Sequence, residues 1–197
     1  FFLSKGYLWV DFFFILSGFI LSYIYGIEHP ARRSIPDITR YLIARFARIY
    51  PLHLISLLVV FLFFTMISLV SWNKTGAFCC LFDGSLRDVE SLIANLFLVH
   101  AWGMFDWVTW NLPSWSLSTE FFCYLIFAAL LAMEGPARKL ALLGLSCIVL
   151  LYYGFSLATS IDVDDNFRLS IIRAASAFSI GILLFLGRHM ISDLSGK

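Results

Sequence analysis

"LWVDFFFILSGFILSYIY" occupies residues 8–25. A helix needs about 20 apolar residues to cross the hydrocarbon core of a bilayer. This stretch supplies nearly that many, yet keeps a carboxylate at Asp11 and a Ser17-Gly18 pair. At 100° per residue, Gly18, Ser22 and Tyr25 fall within about 40° of the Asp11 direction. The segment therefore predicts a membrane helix with one polar, small-residue face. Two readings stand for that face. Asp11 is a helix N-terminal acid favoured by the helix dipole, with Gly18 serving close packing; or it is an intramembrane ionisable group kept for function.

The rest of the chain supports a membrane setting. Of 197 residues, 60% are hydrophobic and only 14% charged, and the mean hydropathy is +0.86. A soluble domain is about half apolar and a quarter charged. Net charge is +1, which gives no basic field for nucleic acid. Cys79, Cys80, Cys123 and Cys147 show no metal-ligand spacing. Cys123 and Cys147 lie in apolar runs and read as small hydrophobes. The first residue is Phe, with no signal-peptide pattern behind it, so the chain reads as a fragment.

Apolar runs predict helices near 7–26, 49–71, 115–133, 139–158 and 168–187. A shorter segment, 91–105, contains Asn95 and His100 and reads as a tilted span, a re-entrant piece or an interfacial helix. The expected fold is all-α: a polytopic transmembrane helix bundle of about five spans plus one short or re-entrant segment, forming a single domain over 1–197. Arg32, Arg33, Arg40, Arg45 and Arg48 face a single Asp37 in 31–48, so this loop reads as cytoplasmic. Arg138-Lys139 and Arg188 read the same way. The acidic "IDVDDN" (161–166) reads as outside. That arrangement closes only if 91–105 does not cross. Pro51 is expected in the first turn of its helix. "NLPSWS" (111–116) offers Ser114 as an N-cap.

Polar groups inside the apolar runs are the candidate functional residues. Glu120 lies too deep in its helix for the dipole to explain it, with Ser116 and Tyr124 one turn to either side. Arg173 enters its helix at a similar depth and is the expected partner of Glu120, as a structural pair or as part of a site. His100 is a base, an acid or an interfacial residue. His53 is expected near the inner surface, beside headgroups or phosphate. Arg45 and Arg48, three apart, present two guanidiniums suited to phosphate, or set topology and attract anionic lipid.

Together these pieces resemble the acyltransferase 3 family of membrane-bound O-acyltransferases. The family stretch G-x-x-G-V-D-x-F-F-x-L-S-G-F is matched by "GYLWVDFFFILSGFI" (6–20), with Trp9 in place of the second glycine. An arginine-rich turn ending R-I-Y-P appears as "RFARIYPLHL" (45–54). W-S-L-S-x-E-x-x-F-Y appears as "WSLSTEFFCY" (115–124). "RAASAFSIGILL" (173–184) is similar to a later arginine-led helix of the family.

The resemblance implies transfer of an acyl group, commonly acetyl, from cytoplasmic acyl-CoA (acetyl-CoA) to a hydroxyl of an envelope carbohydrate or related lipid-linked acceptor. The setting implied is a bacterial cytoplasmic membrane, with no bound cofactor. Glu120 and Asp11 are the catalytic candidates. Arg45, Arg48, Arg173, Ser17, Tyr124 and His100 are the substrate- and donor-binding candidates. Family members begin with a helix carrying an arginine and a catalytic histidine ahead of the first motif. The resemblance thus implies a fragment without that helix, and leaves the Asp11–Gly18–Ser22 face expected to be bare. A transporter and a non-catalytic membrane subunit are the rival readings.

Overall fold

A computed structural model of the chain describes residues 7–28, 33–76, 81–82, 87–159 and 169–195. Arg32, the Cys79-Cys80 pair and the acidic segment 161–166 lie outside the described residues. The regular structure is all helix, without a strand among the described residues. The helices are α1 (Tyr7–Tyr25), α2 (Ile35–Thr75), α3 (Val89–Leu96), α4 (Trp115–Ala132), α5 (Gly135–Thr159) and α6 (Ser170–Ser195). Stretches of α2, α5 and α6, and Leu112–Ala132 including α4, are long and apolar enough to cross a membrane; α1 is a shorter apolar helix. The chain is an integral membrane protein. With eight residues, α3 reaches only about 12 Å and cannot span, as the short-segment reading requires.

One boundary differs from expectation. The arginine-rich stretch is not a loop, because α2 starts at Ile35 and runs 41 residues. Its start is capped by Ser34, whose hydroxyl accepts from the Asp37 N–H at 3.4 Å and donates to the Asp37 carboxylate. Tyr41, Arg45, Ile49, His53 and Leu57 recur every four residues along one helix face, and all but the half-buried Arg45 are buried. That stripe continues the helix through the arginines. Pro51 therefore sits inside α2 rather than in its first turn.

The chain divides into two compact units. The first holds α1, the start of α2 up to Leu42, α4 from Phe122, α5, and α6 from Ile172. Its core is aromatic. Tyr41 packs on Tyr25 at 4.9 Å and Phe127 at 5.7 Å between ring centres, and Phe127 meets Phe178 at 6.1 Å. The Tyr41 hydroxyl donates to the Tyr124 carbonyl at 3.3 Å. Helices α1 and α6 touch backbone to backbone. A Cβ at Gly18 would overlap the Phe178 carbonyl, and one at Gly181 the Ile15 carbonyl. Small residues permit this approach. The Asp11–Gly18–Ser22 face is thus not bare: α6 covers it at Asp11 and Gly18, and the Ser22 hydroxyl donates to the Gly18 carbonyl at 2.8 Å. The exposed side of α1 carries Trp9, Phe12, Leu16 and Tyr23 instead.

Arginines close one end of this unit by binding helix-terminal carbonyls, which have no partner within their own helices. Arg138 is buried and donates to Leu130 O at 3.0 Å, Ile27 O at 2.9 Å and Met133 O. Arg33 donates to Tyr25 O at 2.7 Å. Arg188 pairs with Glu28 at 2.7 Å and lies 3.7 Å from the Phe185 ring centre. Residues expected only to set topology thus also hold helix ends together.

The second unit holds α2 from Ile43, α3, the connection from Phe97, α4 through Phe121, and Ser170. Asp88 caps α3 by accepting from the Ser91 N–H at 2.6 Å, while the Ser91 hydroxyl accepts from the Asp88 N–H at 3.1 Å. After α3 the chain makes a non-helical excursion that ends in a 3-10 turn, Leu112–Ser114. Leu98 and Trp110 hold positive φ, 56° and 44°. Such backbone is strained for bulky residues. It is held by side-chain bonds: the Ser118 hydroxyl donates to Leu98 O at 2.7 Å, and Trp110 Nε1 donates to Ser91 Oγ at 3.0 Å.

Candidate functional site

In the first unit the polar centre is an ion pair. Arg173 Nε and Nη2 donate to the two Asp11 carboxylate oxygens at 2.8 and 2.9 Å. This is the bidentate fork that makes arginine a strong carboxylate partner. The cation expected opposite Glu120 therefore holds Asp11. The two side chains are 10% and 20% exposed, so water reaches the pair only partly. Ser17 is half-buried on α1, outside the hydrogen bonds of that pair. Tyr124 is buried in the aromatic core, where its carbonyl receives Tyr41.

In the second unit Glu120 is buried, 4% exposed, on α4. Arg45 and Arg48 are one turn apart on α2, half-buried and exposed respectively. The same unit holds two histidines. His100 and His53 are both fully buried, and their rings stack at 5.9 Å with 5° between planes. His53 was expected at the inner surface; its place on the buried stripe of α2 puts it in the core. Its Nε2 meets the Asn95 carbonyl at 2.8 Å. His100 Nε2 meets the Ser114 hydroxyl at 3.1 Å, and that hydroxyl donates to Asn111 O at 2.7 Å. Ser114 precedes α4, as expected, but its hydroxyl serves His100 and Asn111 and not the helix N-terminus.

Neutral side chains tie this cluster together. Asn95 Nδ2 donates to Ser91 O and Thr109 Oγ1, both at 2.8 Å. Asn111 donates to Ser56 Oγ at 2.9 Å, and Ser56 to His53 O at 2.8 Å. Burial, and then the neighbouring His53 ring, push the His100 pKa down to about 4, against smaller opposing pulls from the Ser114 and Ala94 backbones. His100 is therefore neutral near pH 7. Cys123 is buried and Cys147 exposed, both as free thiols. No group of three or more His, Cys, Asp or Glu side chains suited to a metal occurs among the described residues.

The sequence carries a signal for the His53–Asn95 contact. Tyr41, Arg45, Ile49, His53 and Leu57 share a four-residue spacing that places His53 on an inward face. The arginines and Pro51 mask that periodicity because they look like a helix boundary.

The acyltransferase domain family matches residues 5–196, nearly the whole chain. The chain belongs to the acyltransferase 3 family of membrane proteins. It is 34% identical over 141 residues to "Acyltransferase MdmB" of Streptomyces mycarofaciens, covering 70% of this chain and 32% of that protein. It is 41% identical over 61 residues to "Protein 2 in picA locus" of Rhizobium radiobacter, covering 31% of each. The matched regions thus span about a third of the length of these curated relatives. No solved structure matches the chain.

Proposed function

We propose that the whole protein moves an acyl group, acetyl in the simplest case, from cytoplasmic acyl-CoA to a hydroxyl of an envelope carbohydrate or a related lipid-linked acceptor. The membrane is then the bacterial cytoplasmic membrane, and acyl-CoA is a substrate, with no bound cofactor. The observation that carries this reading is the burial of Glu120 within the third family motif, in a helix suited to cross a membrane. A carboxylate in such a place is costly and is retained for chemistry more often than for packing. Glu120 positions the group that takes the acceptor's proton. Asp11, held by Arg173, fixes α1 beside α6. Arg45 and Arg48 take the CoA phosphates, with the exposed Arg48 reaching outward.

Radiolabelled acyl-CoA and a carbohydrate acceptor test this. The whole protein should form a labelled ester, and Glu120→Gln should lower transfer by about 100-fold at unchanged expression. Retained transfer removes Glu120 from the chemistry. Replacing Arg45 and Arg48 by Ala should raise the KM for acyl-CoA about tenfold or more. An unchanged KM leaves both as topology residues.

A further inference from the structure

The hydrogen bonds around His53 and His100 fix where their protons sit. His53 Nε2 faces a backbone carbonyl, which only accepts, so Nε2 carries the proton. The Ser114 hydroxyl gives its single proton to Asn111 O, so it accepts from His100 Nε2. Both rings are therefore Nε2–H tautomers with a lone pair on Nδ1. Both Nδ1 atoms are buried, and no protein atom meets hydrogen-bond geometry at either. The Asn95 side-chain oxygen is in the same condition, since its amide NH2 is held by Ser91 and Thr109.

Three such acceptors fall in one cluster, with the imidazoles stacked and His53 bonded to the backbone of Asn95. Folded proteins pair nearly all such groups. All three are acceptors, so the matching ligand brings N–H or O–H and no negative charge. That separates this place from the arginines suited to phosphate. The strained Leu98 and Trp110 lie in the same excursion, and backbone strain of this kind collects at functional sites.

We propose that His53 Nδ1, His100 Nδ1 and Asn95 Oδ1 form an acceptor-only site for an O–H donor, and that this donor is the hydroxyl of the acyl acceptor. The assignment rests on the acyl-transfer reading and adds the residues that hold the alcohol. The shared chemistry is an O–H group, and its two sources are solvent water and a substrate alcohol.

Heteronuclear NMR of ring-labelled histidine in the reconstituted whole protein tests it without turnover. Both rings should report Nε2–H tautomers, and saturating methyl glucoside should shift both Nδ1 resonances. In acyl-transfer assays with methyl glucoside, His100→Gln keeps a donor near Nε2 and removes the Nδ1 acceptor. It should raise the acceptor KM about tenfold and leave the acyl-CoA KM unchanged. His100→Asn, which keeps an acceptor near Nδ1, should recover part of that loss. Resonances indifferent to methyl glucoside would overturn the assignment and leave a water-binding pair. So would an acceptor KM unchanged in both His100→Gln and His53→Gln. Should His100→Gln fail to fold, the NMR arm on the unsubstituted protein and His53→Gln still decide. A whole protein that transfers no acyl group refutes the acyl-transfer reading alone, because the NMR arm reads alcohol binding by itself.

Discussion

The two units solve the same problem, a polar group inside a membrane protein, in opposite ways. The first neutralises charge with charge or with helix-end carbonyls: Asp11 with Arg173, Glu28 with Arg188, and Arg138 on three carbonyl oxygens. Its helices approach as closely as Gly18 and Gly181 allow. The second, beside its buried Glu120, builds a neutral network of His, Asn, Ser and Thr under strained backbone, with three acceptors left over. Ion pairs in a closely packed bundle fix helices in one arrangement. A neutral network with spare acceptors leaves something to be bound. On the acyl-transfer reading, the difference gives scaffolding to the first unit and recognition to the second.

The largest effect should come from breaking the scaffold pair. Arg173→Ala leaves the Asp11 carboxylate without the cation that forks onto it. The loss should be about 3–5 kcal/mol, read as a lower unfolding midpoint of the whole protein in detergent. Asp11→Asn combined with Arg173→Gln should recover much of it, because the cost is an unpaired charge rather than a missing attraction. A single variant as stable as the double would remove the scaffolding role from the pair.

The second unit should respond to pH. The His100 pKa of about 4 lies below its ordinary value of 6.5. Its stabilising contribution is complete above about 6.5 and is lost as pH falls toward 4, because the unfolded chain takes up the proton first. Across that window the loss is on the order of 3 kcal/mol, as an upper bound. Melting curves between pH 7 and 4 should slope accordingly, and His100→Gln should flatten the slope. An equal slope in the variant would place the acid sensitivity elsewhere.

These contrasts were unevenly legible in the sequence. Run length and apolarity foretold the spanning helices, because a bilayer imposes a minimum length on any helix that crosses it. The polar positions Asp11, Glu120, His100 and Arg173 stood out because charge and imidazole are conspicuous in such runs. Their partners did not. Pairing Asp11 with Arg173 requires knowing that α1 packs on α6, and only the mutual fit of Gly18 and Gly181 says so. Ser34-x-x-Asp37 is a readable start signal for α2, set against five nearby arginines that argue for a loop. The Ser114 contact to His100 was beyond reach, because it depends on an excursion with three positive-φ residues, Leu98, Gly103 and Trp110, that obeys no helical period.

The smallest effect should separate two ion pairs within the first unit. Arg188–Glu28 is as short as Arg173–Asp11, 2.7 against 2.8 Å, but its side chains are 29% and 40% exposed against 10% and 20%. Length is thus nearly constant and solvent access is the variable. Water screens the outer pair, and exposed pairs contribute about 0–1 kcal/mol. Arg188 also keeps its place over the Phe185 ring when the carboxylate is gone. Glu28→Gln should therefore shift the unfolding midpoint barely, with a further drop when Phe185→Leu removes the ring face. A Glu28→Gln loss rivalling that of Arg173→Ala would mean that burial does not rank these pairs. The contrast between a charge-locked scaffold and a neutral recognition unit would then need another cause.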